Sequence, residues 1–270
     1  MLRTALALGL SLLATAPASA ASVDDLAIRS TVQGSGQTII FVHGWTCDET
    51  SWAAQVAAFD DGYRVVTLDL PGHGKSDAPA QEAFSMDLFA RAVEAVRQEV
   101  GADKVVLVGH SMVAVEIREY ALDYPEHVAG LVAVDGPLDV RPFKDFPGFG
   151  PLTREARQTM VESMFVPATS PELRAQILAM MLGAPEATAV GASRAMFDPQ
   201  LQAQGSQAIA APALSVFAGG PGFGNTDATK EVVPNWSSEK FDGTGHFLMM
   251  EQPDRFNLVL RAFVEQRAQF

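Results

Sequence analysis

Short, largely apolar runs that do not alternate with polar residues recur along the chain, each leading into a glycine or aspartate. "TIIFVHG" predicts a buried strand over Thr38–Val42, and "YRVVTLDLPG" a second over Tyr63–Leu68. "KVVLVGH" predicts a third over Lys104–Val108, and "VAGLVAVDG" a fourth reaching Val134. Between them the period changes. In "MDLFARAVEAVRQEV" the residues Leu88, Ala92, Val96 and Val100 recur at fours, which predicts a helix with Ser85 as N-cap and Gly101 at its C-terminal end. Residues 112–124 form another helical stretch, stopped before Pro125. Strands that do not alternate apolar with polar are buried on both faces. The pattern therefore predicts an α/β fold with a mostly parallel central sheet and helices on both sides.

The rhythm stops between about Leu138 and Ala211. "PLTREARQTMVESMF" and "SPELRAQILAMML" are amphipathic and helical, with no convincing strand nearby. The strand–helix pattern resumes at "APALSVFAGG", continues with a strand over Ser237–Phe241 and ends in a helix from Pro253 to about Gln266. The strands on either side need each other to complete one sheet. The expected organisation is a core over residues 21–137 and 212–270, interrupted by a helical cap over 138–211.

Residues 1–20 stand apart. Arg3, the apolar run "ALALGLSLLATA" and Ala18-Ser19-Ala20 have the order of a secretory signal peptide, so export to the periplasm or medium is expected, without stable membrane insertion after cleavage. The chain has 270 residues, 48% of them hydrophobic, enough to bury a large core. Its net charge of −13 argues against a nucleic-acid partner. The single cysteine, Cys47, cannot form an internal disulfide and is expected to be a small buried hydrophobe. No Cys/His cluster has zinc-ligand spacing, and neither a metal nor a cofactor is expected.

"GHSMVAVE" carries the first chemistry. Gly109-His110-Ser111 lies where a predicted strand turns into a helix, the context in which a G-x-S-x-G turn presents a nucleophilic serine. The last glycine of that motif is replaced by Val113. Its branched side chain is expected to overpack the turn, at about 1–3 kcal/mol, and to threaten the Met112 N–H beside the serine. A serine hydroxyl needs a base, itself oriented by a carboxylate. Of the five histidines, His43 and His73 sit in glycine-flanked loops, His110 is expected to point elsewhere on the tight turn, and His127 to lie at the surface. His246, in "GTGHF" after the last strand, can meet Ser111 at the sheet edge where such loops gather.

"FVHGW", "LDLPGHGKSD", "GHSM" and "GTGHFLMMEQPDRFN", in this order, resemble the α/β-hydrolase superfamily, of the capped single-domain kind. The resemblance covers nearly all of residues 36–270 and is weakest over 138–211. It implies Ser111 as nucleophile, His246 as base, and an oxyanion hole to which His43-Gly44-Trp45 contributes. The Trp45 and Met112 N–H groups are the expected donors, with Gly44 letting the chain approach the substrate. His73, in a loop that relatives share, is expected to be structural. Two aspartates satisfy the order nucleophile, acid, base: Asp135, ending the strand before the cap, and Asp227 in "NTDATKE". Met164 and Phe165 are candidates for an apolar substrate pocket. The expected activity is hydrolysis of small or medium uncharged carboxylic esters or lactones through an acyl-enzyme. Two rivals keep the fold and change the role: a non-catalytic binding protein, and a cofactor-free perhydrolase or lyase.

Overall fold

A computed structural model describes residues 21–143, 146, 148–219 and 228–270. The expected signal segment, residues 1–20, and Asp227 lie outside the described residues. The chain opens with a two-residue hairpin, β1 (Ser22–Val23) and β2 (Leu26–Ala27). It continues through β3 (Ser30–Gly34), β4 (Thr38–Val42), α1 (Ala53–Phe59), β5 (Arg64–Leu68), α2 (Met86–Glu99), β6 (Val105–His110), α3 (Val113–Asp123) and β7 (Val128–Val134). Four helices come next: α4 (Arg154–Ser163), α5 (Pro171–Gly183), α6 (Glu186–Met196) and α7 (Pro199–Ala203). β8 (Ala213–Ala218), α8 (Thr229–Val232), β9 (Trp236–Phe241), α9 (Leu248–Glu251) and α10 (Pro253–Gln266) complete the described chain.

Seven strands form one sheet in the order β3-β5-β4-β6-β7-β8-β9. Only β3 runs antiparallel, against β5. The apolar runs become the central strands, and every residue of β4, β6, β7 and β8 is buried. Helices supply the cover: α1 packs with α10, and α2 with α3. Phe41 stacks on Trp52 at 5.2 Å, and Trp52 lies 6.3 Å from Phe256 of α10, so one face is closed by aromatic rings. Ser85 caps α2 by accepting the Leu88 N–H, and Gly101 comes after it in the left-handed region at φ +63°. Thr153 and Ser170 cap α4 and α5 in the same way.

The edge strand β3 and the β1–β2 hairpin escape the hydrophobic pattern. "STVQG" is half-exposed to exposed, because an outer strand buries little. The strand registers bring the functional loops together. Val42 stands beside Gly109, Gly109 beside Ala133, and Val134 beside Val216. The carboxyl ends of β4, β6, β7 and β8 are therefore level, and the loops leaving them share one edge.

Candidate active site

β6 ends at His110, and the next residue turns sharply. Ser111 has φ +56°, in the left-handed region that costs a side-chain-bearing residue roughly 1–2 kcal/mol. Two backbone bonds hold it there: its N–H donates to the Val134 carbonyl at 2.8 Å, and its carbonyl accepts from the Ala114 N–H at 3.0 Å, opening α3. The turn needs bare backbone beside it. A Cβ on Gly136 would sit 2.2 Å from the Ser111 carbonyl oxygen. One on Gly44 would sit 2.7 Å from His110 Nδ1 and 3.3 Å from the Ser111 Cβ.

Val113 does not overpack this turn. It is fully buried, and a Cβ on Gly109 would lie 2.9 Å from its Cγ1. The valine thus occupies the space left open by the first glycine of its own motif. The expected overpacking does not arise because the small neighbour that receives Val113 lies four residues back, at Gly109.

Asp135 directly follows β7, with φ +45° and its N–H donating to the Val216 carbonyl at 2.8 Å. Both carboxylate oxygens are used. Oδ2 accepts from His246 Nδ1 at 2.6 Å, and Oδ1 accepts from the Ala218 N–H at 2.9 Å. Burial works to raise the Asp135 carboxyl, but the His246 hydrogen bond and charge, the Ala218 N–H and His110 outweigh it and hold the group below the usual carboxylate range. Asp135, one of the two aspartates left open by chain order, is bonded to His246. Asp227 lies outside the described residues.

The His246 backbone is held from both sides. Its N–H donates to the Met164 carbonyl at 3.0 Å, and its carbonyl accepts from His110 Nε2 at 2.9 Å. His110 therefore does not point away from the site. Its ring lies 4.6 Å from that of His246, because the turn at Ser111 sends the preceding side chain across to the neighbouring loop. Burial and the nearby His246 push its pKa down to about 3, which keeps the ring neutral.

The loop after β4 is equally committed. His43 Nδ1 donates to the Gly44 carbonyl at 2.9 Å, while its Nε2 accepts from the Leu70 N–H at 3.0 Å. Burial lowers its pKa, in keeping with that neutral tautomer. His73 packs 5.0 Å from His43 and donates to the Pro71 carbonyl, and burial takes its pKa down to about 3. The Trp45 indole N–H reaches across to the Ala189 carbonyl of α6 at 2.9 Å. Cys47 is buried, and burial with Asp48 nearby pushes its thiol up.

Ser111, Asp135 and His246 line one cavity of about 740 Å³, together with Trp45, Met112, Met164 and Phe165. The rest of the wall is mostly apolar: Val115, Met160 and Met196, with Phe143, Phe149 and Phe197. Phe149 bridges Trp45 and Phe197, with ring centroids 6.3 and 5.3 Å away. No lysine or arginine is among the described lining residues. Among the described residues, no three His, Cys, Asp or Glu side chains group so as to hold a metal ion, and no helix is long and apolar enough to cross a membrane. Flexible methionines and aromatic rings make a wall that adapts to apolar shapes.

Comparison with known proteins agrees with this architecture. The family model described as "alpha/beta hydrolase fold" matches residues 37–231. A 2-hydroxy-6-oxononadienedioate/2-hydroxy-6-oxononatrienedioate hydrolase of Paraburkholderia phymatum is 29% identical over 265 residues, covering 90% of this chain and 92% of that protein. A dihydrolipoyllysine-residue acetyltransferase component of an acetoin cleaving system, from Cupriavidus necator, is 27% identical over 89% of this chain and 67% of its own length. Among solved structures, a thermophilic esterase from Thermogutta terrifontis superposes with a TM-score of 0.77 at 23% identity, covering 90% of this chain and 95% of that one.

Proposed function

The chain belongs to the alpha/beta-hydrolase family, and from that premise we propose that it is an exported serine hydrolase of small or medium uncharged carboxylic esters or lactones. The observation that carries the reading is the 2.6 Å bond from His246 Nδ1 to Asp135, in a cavity that Ser111 also lines. With Nδ1–H given to the carboxylate, Nε2 is the unprotonated, basic nitrogen. It takes the Ser111 proton as Oγ attacks the substrate carbonyl. The negative charge that develops on the carbonyl oxygen is met by the Met112 and Trp45 N–H groups. Collapse breaks the bond to the alcohol oxygen; the alcohol leaves with the proton from His246, and the acyl group stays on Ser111. Water, deprotonated by His246, attacks that ester. The acid departs and the proton returns to Ser111.

The wall supports a neutral substrate. The Paraburkholderia relative is named for a dioate, whereas no cation is among the described residues lining this cavity to pair with a second carboxylate. Export rests on the pattern of residues 1–20 and predicts a mature chain beginning at Ala21. The test is hydrolysis of p-nitrophenyl acetate, butyrate and octanoate by the mature protein and by Ser111→Ala. Turnover lost in the variant, with fluorophosphonate labelling of the wild type alone, is the expected result. An unlabelled wild type without turnover would reject the enzyme in favour of a binding protein.

A further inference from the structure

We infer that Glu251 is a positioning residue that makes the placement of His246 depend on the docking of the cap segment 164–169. The inference rests on His246 being the base of the proposed reaction. Glu251 ends α9, five residues beyond His246, and its two carboxylate oxygens serve different parts of the molecule. Oε2 accepts from the Gly245 N–H at 2.7 Å, the amide just before His246. Oε1 accepts from the Thr169 hydroxyl at 3.2 Å, on the stretch of chain between α4 and α5. That stretch also supplies the Met164 carbonyl to the His246 N–H. The two segments lie in direct contact: a Cβ on Gly245 would be 2.4 Å from the Met164 oxygen and 2.8 Å from Glu251 Oε1.

The cap side of this clamp is itself braced. Thr169 is buried, its Oγ1 accepts from the Val166 N–H at 3.1 Å, and Arg174 donates to the Thr169 and Val166 carbonyls. Hydrogen bonds to a carboxylate are the stronger kind, and here one carboxylate fixes both sides. Met164 and Phe165, at the start of the same stretch, line the cavity. A substrate that packs against them therefore presses on the backbone that carries His246, so a well-fitting acyl chain steadies the base.

The variants Glu251→Ala, Glu251→Gln and Thr169→Val separate the parts. Alanine removes both bonds, glutamine keeps an acceptor for the Gly245 N–H, and valine removes the link from Thr169 to Glu251, together with the acceptor for the Val166 N–H, while leaving the Gly245 bond in place. Each is measured for kcat and KM on p-nitrophenyl butyrate, and by NMR for the downfield His246 Nδ1 proton shared with Asp135. Glu251→Ala is expected to lower kcat by about ten- to a hundred-fold, the scale of a misplaced catalytic group, with KM little changed and the Nδ1 signal weakened. Glu251→Gln should recover most of both. Thr169→Val should fall between them.

Wild-type kcat and an unchanged Nδ1 signal in Glu251→Ala overturn the inference, even if its melting temperature falls. Should that variant not fold, wild-type kcat and signal in Thr169→Val overturn it instead. A wild type that shows the Nδ1 proton but neither turnover nor fluorophosphonate label would sink the hydrolase reading. The NMR comparison would still decide whether Glu251 places His246.

Discussion

Exchanging the two residues that share the space beneath the serine turn separates fit from strain. Val113 is fully buried, and Val113→Gly removes three carbons. At about 0.8 kcal/mol per buried methylene, roughly 2.5 kcal/mol of burial is lost. Glycine in a helix adds about half a kcal/mol relative to valine. Gly109→Ala errs in the other direction. Its new methyl would lie 2.9 Å from Val113 Cγ1 and 3.1 Å from both Ile117 Cγ2 and the Val113 carbonyl oxygen, an overpacking of about 1–3 kcal/mol. The double variant puts the alanine methyl where the valine was, so the two effects should not add. A coupling of about 1 kcal/mol or more is expected, well beyond the ~0.5 kcal/mol within which independent sites add. Urea denaturation of the four proteins measures it. As 1 kcal/mol moves the melting temperature by about 2–4 °C in a domain of this size, Val113→Gly should melt roughly 6–12 °C lower. Additive effects would show that the two residues do not share this space, and a higher melting temperature in Val113→Gly that the valine is strained in the turn; either result would refute the reasoning.

Asp135→Asn should lower kcat by about 10⁴-fold, as expected when a histidine loses the carboxylate that fixes its tautomer, while Asp227→Asn should stay near wild type in the same ester assay. The buried histidines predict acid lability. His43, His73 and His110 are held neutral in the fold, yet once unfolded each binds a proton below its ordinary value near 6.5, so stability should fall with pH from there down at up to about 1.4 kcal/mol per unit for each histidine. Urea midpoints between pH 7 and 5 measure that slope, and a flat profile would refute it. Asp135 acts lower on the scale: with its carboxyl held below the usual range, its contribution is complete above about pH 4 and is lost as the pH falls through the folded-state value. Asp135→Asn should accordingly flatten the acid limb of the stability profile below pH 4.

What the sequence made legible is what repeats or sits in order. Five apolar runs announced the central strands because both faces of a parallel sheet are covered, and β4 begins and ends where its pattern does. The serine turn and the late histidine were readable because their types and order are fixed by the chemistry. The bond from Asp135 to His246 was not, since two aspartates share that order and only the register of β7 against β8 sets Asp135 beside Ala218. The fit of Val113 depends on Gly109, a contact that crosses the turn and leaves no periodic trace. His110 looked turned away because a residue's neighbour on a tight turn normally faces the other side, and nothing local records that the other side holds the His246 carbonyl. Glu251 carried no signal in the sequence, because the two bonds that single it out, from the Gly245 N–H and the Thr169 hydroxyl, exist only in the fold. β3 was lost among polar residues, because an edge strand is not obliged to be apolar.

The cap reaches the site's machinery largely through its own main chain. The Met164 carbonyl takes the His246 N–H, and the Ala189 carbonyl takes the Trp45 indole. A carbonyl oxygen is present whatever side chain its residue bears. A lineage descending from this sequence can therefore exchange Met164, Phe165 or Met196 for other apolar groups, and so change diet, without forfeiting either anchor. Insertions and deletions are a different matter: one residue added to or removed from the segment bearing either oxygen would slide it out of reach. The evolutionary record of such a cap should accordingly show freely drifting letters at nearly constant spacing.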